Sequence, residues 1–168
     1  AFSDDDKTSM MADSLYPQLL AFASGLDIGL ERAKISAHLE TEMAWNNGPF
    51  GISLLTTGHG AELVDLANGG GNGVWQMANP DWAALSLWNA ANDDGSSDSD
   101  RSALLERALN TSKTTVDTWR ELNKDLWNVA GISETFSGRP IITSHYGYWM
   151  TVWHLPLAIS GQQADFLE

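Results

Sequence analysis

The chain has no cysteine, which excludes disulfide staples and thiolate zinc sites and leaves the redox compartment unread. No stretch approaches the roughly 18 uninterrupted apolar residues that a membrane-spanning helix needs. Basic residues are scarce: 9 Lys and Arg stand against 22 Asp and Glu, a formal net charge of −13. That balance argues against nucleic acid, whose phosphates require basic patches. It also disfavours phosphate-rich surfaces at neutral pH and points to acidic working conditions, where carboxylates lose their charge. Several site signatures are absent as well. There is no H-E-x-x-H. The acidic run DDGSSDSD, 93–100, lacks the ligand spacing and terminal Glu of a calcium loop and is expected to be a solvated loop. The glycine-rich GGGNG, 69–73, matches neither a dinucleotide nor a P-loop fingerprint. No cofactor is expected.

What is present suits one domain over residues 1–168, long enough to bury most of its apolar surface without staples. No internal repeat or linker divides it. The sequence opens at Ala1 without a basic, apolar leader, as it would after removal of a signal peptide or after trimming, and secretion is the expectation. Asn110-Thr111-Ser112 is a glycosylation sequon, meaningful in a secreted eukaryotic setting.

Apolar spacing predicts a mostly α fold. Met11, Leu15, Leu19 and Phe22 recur at helical intervals, with Pro17 marking a start or kink and Gly25 a stop. Asp27 is placed to cap a second helix carrying Leu30, Ile35 and Leu39 to Glu42. From Asn46 to Gly73 the chain is rich in Gly and Asn and is expected to form loops, with a small hairpin or short helix near Ala61 to Ala67. Asn79-Pro80 opens a helix bearing Trp82, Leu85 and Trp88. Asp100 opens another with Leu104, Leu105 and Leu109. Ser112 opens the most regular one, striped by Val116, Trp119, Leu122, Leu126 and Val129. Gly138-Arg139-Pro140 marks a turn, and the segment 144–160 is apolar nearly all round and is expected to be buried.

Glu42 is the first candidate for chemistry. It follows Leu39 by three and Ile35 by seven, so all three share one helix face, whereas Lys34 and Glu40 point elsewhere. A carboxyl on an apolar stripe should have a raised pKa, the property of a general acid. Met43 offers the alternative, filling the stripe and leaving Glu42 at its wet edge. Downstream comes GVWQM, Gly73 to Met77. A helix ending in Glu42, an Asn/Gly turn at Asn46 to Gly48, and then a G-[LV]-x-Q segment together resemble the lysozyme-like muramidases: goose-type lysozymes, lytic transglycosylases and phage tail lysozymes. The resemblance covers roughly Leu26 to Asn89. Met43 and Ala44 stand where Ser and Gly are usual, and Trp75 where Met or Ala is more common.

The resemblance implies a helical lobe and a smaller loop-rich lobe flanking a groove. It implies a monomeric secreted hydrolase that cleaves β-1,4 bonds of peptidoglycan or a chitin-like N-acetylated polysaccharide, with Glu42 as general acid. Glu62 and Asp65 are candidates for a second carboxylate, or solvated charges on a short helix. Gln76 would hold a sugar amide or hydroxyl, or else fix its own loop. Gly73 would let the backbone approach substrate. Trp45 and Trp75 flank the site in sequence and either stack on sugar rings or pack. Tyr146 and Tyr148 are placed late in the chain, where these families often bring a tyrosine near the acid. Trp119 reads as core, as do Trp149 and Trp153.

Two other classes stay open. One is a non-catalytic helical module that binds carbohydrate or protein, with Glu42 structural. The other is a metal protein, in which His38, four before Glu42, joins ligands from His59, His145 and His154.

Overall fold

The computed structural model describes residues 9–26, 29–57, 62–63, 73–91, 97–124, 130–142 and 151–161. Within them the fold is mostly helical with small antiparallel sheets. The helices are α1 (Tyr16–Ala23), α2 (Arg32–Asn46), α3 (Ala78–Ala91), α4 (Asp98–Asp117) and α5 (His154–Ser160). A π-helical turn, Thr118–Asn123, continues α4. No helix is long and apolar enough to cross a membrane among these residues.

The centre is α3. Its sequence, ANPDWAALSLWNAA, is buried on nearly every side, and its alanines let α1, α2, α4 and α5 approach closely. Trp82, Leu85 and Trp88 anchor a core that also takes Leu19, Phe22, Ile35, Leu39 and Leu155. The helix begins at Ala78, so Asn79-Pro80 lies in its first turn as the spacing predicts. Trp82 ties α3 to α2 by donating its indole N–H to the Leu39 carbonyl at 3.0 Å.

The strands are short. β1 (Met10–Met11), β4 (Leu55–Thr57) and β5 (Glu62–Leu63) form one sheet in the order β1-β4-β5. β2 (Asn47–Gly48) and β3 (Gly51–Ile52) form a hairpin at the end of α2, and β6 (Gly73–Trp75), β7 (Ile132–Glu134) and β8 (Pro140–Ile142) form a third group. Buried amides lock these pieces to the helices. Asn46 donates to the carbonyls of Met10 and Ser53 and accepts from Thr56 Oγ1 at 2.9 Å. Asn79 accepts from the Ile52 N–H at 2.9 Å and donates to Thr115. A side chain at Gly51, where φ is +124°, would collide with Asn79 at 2.3 Å, so the hairpin needs glycine there.

Several expectations change. Met11 belongs to a strand, and the first helix starts at Tyr16 with Pro17 in its opening turn. The passage from Asn47 onward builds strands where loops were expected. Ser112 starts nothing: α4 runs unbroken from Asp98, capped by Ser97, whose hydroxyl accepts the Asp100 N–H while Asp100 returns a bond to the Ser97 N–H. The apolar stripe of that region is only partly buried. Trp119 is 1% exposed, but Val116 and Leu122 are 38% and 47% exposed, and Ala108, Thr111, Ser112 and Thr115 take the buried face. The last segment is amphipathic where it is described: Leu155 and Ala158 are buried, whereas Trp153 is 66% exposed. Asp27, Leu126, Trp127, Val129 and Trp149 lie outside the described residues.

Candidate active site

Ile35, Leu39 and Glu42 point together into the core, as their spacing requires, and Glu42 is 1% exposed. Met43 is only partly buried and does not displace it. The carboxyl faces a cavity of about 20 Å³ lined by Asp13, Leu15, Tyr16, Leu39, Asp81 and Trp82 among others. That is room for about one water. Asp13 comes from the turn between β1 and α1, Tyr16 from the start of α1, and Asp81 from the first turn of α3. Glu42 therefore shares its cavity with two further carboxyls from different elements.

Burial raises the Glu42 pKa well above 4.5, and the nearby charges of Asp13 and Asp81 push it further in the same direction. Glu42 Oε1 has no hydrogen-bond partner. Asp81 is raised from 3.8 to about 6, chiefly by burial, with the His154 hydrogen bond and charge opposing the rise. His154 Nδ1 lies 3.4 Å from Asp81 Oδ1, at the outer limit of a hydrogen bond. Desolvation likewise raises Asp13 and Tyr16, the latter with help from the Asp81 charge. His38 is one helical turn before Glu42, with Nε2 3.9 Å from Oε2. Burial lowers the His38 pKa while it raises that of Glu42, so both favour their neutral forms and the approach is not an ion pair. The arrangement can hold a proton on Glu42 beside an Asp81 that ionises near pH 6, the separation of acid strengths that acid–base chemistry uses.

The other candidates do not all join this cluster. Gln76 is buried but donates from Nε2 to Ser133 Oγ at 2.9 Å, and it lines a different small cavity with Pro80, Ser112 and Thr115. Pairing of β6 with β7 turns it toward Ser133, so its loop-fixing role prevails over facing Glu42. Gly73 serves the same pairing, since a side chain there would sit 1.9 Å from Ile132 Cγ2. Its smallness admits β7 rather than substrate. Trp75 is partly buried and packs against the core, while Trp45 is half-buried near the end of α2. Glu62 lies on β5 opposite Thr57. Asp65, Tyr146, Tyr148, His59 and His145 lie outside the described residues. Among the described residues no three His, Asp or Glu side chains converge as metal ligands.

Sequence reasoning passed over Asp81, Asp13 and Tyr16, and placed His154 only as a metal ligand, not beside Asp81. A signal existed for Asp81, which precedes Leu85 by four and Trp88 by seven and so shares the apolar face of α3. Asp13 sits in a turn, where no period reveals burial. No family model, curated protein or solved structure matches the chain.

Proposed function

We propose that the protein is a lysozyme-like glycoside hydrolase that acts outside the cell as a monomer on peptidoglycan or a chitin-like N-acetylated glycan. Glu42 is the general acid and Asp81 replaces Glu62 or Asp65 as the second carboxylate. The carrying observation is the shared cavity, in which burial keeps Glu42 protonated beside an Asp81 that ionises near pH 6. Glu42 gives its proton to the glycosidic oxygen as the bond breaks. Asp81, ionised above about pH 6, stabilises the oxocarbenium-like centre or takes a proton from the attacking water. Because Glu42 is 1% exposed, this reading requires the wall of the cavity to open before a sugar reaches it. Activity should then rise through about pH 6 as Asp81 ionises and fall where Glu42 loses its proton.

One observation favours a second reading. A cavity of about 20 Å³ admits water and no sugar, which suits a non-catalytic binding module with a structural Glu42. Wall-lytic assays on Glu42→Gln separate the two. The catalytic reading expects turnover to fall by about two orders of magnitude or more, the scale of a lost general acid, with the fold retained. Unchanged turnover in the variant, or no lysis by the native chain on any N-acetylated glycan, would leave the module.

A further inference from the structure

Two recesses much larger than the Glu42 cavity lie outside it among the described residues. Arg32, Ser36 and Glu40 recur every four residues and form a stripe beside the one that carries Ile35 and Glu42, with Leu39 at the border lining both the recess and the Glu42 cavity. Both α2 and α4 pack on α3, and a recess of about 420 Å³ lies among the three helices. A second, of about 400 Å³, lies between α4 and the β2 strand. Glu40 lines the first and Arg107 the second, and the Arg107 guanidinium donates to both carboxylate oxygens of Glu40 at 2.8 and 3.1 Å and lies 5.0 Å over the Trp82 ring. The result is a trough in two parts, pinched at one ion pair. Each part falls within the size of small-molecule sites, about 300–1,000 Å³.

The chemistry of the walls selects the occupant. The charged groups cancel, Arg32 and Arg107 against Glu40 and Glu106. A protein carrying −13 overall repels anions, and these walls give a cation no net charge to bind. The rest of the polar lining is uncharged: the amides of Asn47, Asn89 and Asn110 and the hydroxyls of Ser36, Ser86, Thr111 and Thr114. Ser86 Oγ and Asn89 Oδ1 are buried behind the wall without a hydrogen-bond partner. Alanines at 33, 90 and 103 and Gly48 leave the space. We propose that this trough binds a neutral, N-acetylated oligosaccharide, whose hydroxyls and amides match these walls. The site is separate from Glu42 and does not rest on Glu42 being catalytic.

Calorimetric titration of the whole chain with triacetylchitotriose tests it. The expected result is saturable binding at about millimolar affinity or tighter, insensitive to salt because neither walls nor ligand carry net charge. Ala33→Phe and Ala103→Phe fill one recess each from exposed positions that the core does not use. Each should weaken binding about tenfold or more while melting is unchanged. The proposal is overturned by absence of saturable binding, or by full affinity in either Phe variant. It is also overturned by tighter binding of an anionic oligogalacturonate.

Discussion

A methyl group at Gly73 would meet Ile132 Cγ2 at 1.9 Å, so the β6–β7 pair closes only because nothing is there. Gly73→Ala should therefore destabilise by about 1–3 kcal/mol, the range of overpacking, measured by urea unfolding. Full stability would mean that Ile132 can turn aside. Trp119→Ala, at a fully buried indole, should cost about 3–5 kcal/mol. Trp75→Ala, at a partly buried ring, should cost less. At this scale Glu42 was legible because one helical period fixes its face. Gly73 was not, because its partner lies on a strand far along the chain and local sequence says only that a side chain is missing. Which of its two readings Gln76 takes was not legible for the same reason, since its partner Ser133 lies on that strand.

At the level of elements, period and capping chemistry tell different amounts. The helix containing Glu42 and the one opened by Asn79-Pro80 follow from spacing and Pro placement. The stripe from Val116 to Leu122 misleads for two reasons. The π-helical turn from Thr118 shifts the phase of the face. The buried side of α4 is also built from Thr and Ser, which lie against α3 where Asn79 reaches Thr115. Hydrophobicity alone picks the wrong side there. Ser97 was hidden inside an acidic run that reads as loop, although Ser97 with Asp100 is a complete capping box. Ser97→Ala should lower stability by about 0.5–2 kcal/mol, seen as a lower midpoint in thermal unfolding. An unchanged midpoint would show that α4 is held by its contact with α3 alone.

For the whole molecule, buried carboxyls set how stability responds to pH. Glu42, Asp81 and Asp13 have pKa values raised on folding. Their contribution is full below the unfolded values near 4 and is lost as pH rises through the folded ones. For Asp81, moved from 3.8 to about 6, the loss above that pH is about 3 kcal/mol. Asp100 and Glu134 act the other way: hydrogen bonds to Ser97 and Ser137 lower them, so their contribution fades on acidification. Relief of the −13 charge also favours the acid side. Melting temperature should therefore peak at mildly acidic pH. Glu42→Gln, which resembles the protonated acid, should raise it at neutral pH and leave it unchanged near pH 4, where native Glu42 already holds its proton. A native melting curve that climbs steadily to pH 8 would show that Glu42 is not held neutral.

The closed cavity around Glu42 also makes folding a reaction with hydrogen ions among its reactants. Between the unfolded and folded pKa values of Glu42 and Asp81, the native chain holds protons that the unfolded chain has released. Refolding in weakly buffered water near pH 5.5 should thus draw hydrogen ions from solution. An indicator dye would register the event as a rise in pH, in step with the burial of the tryptophans.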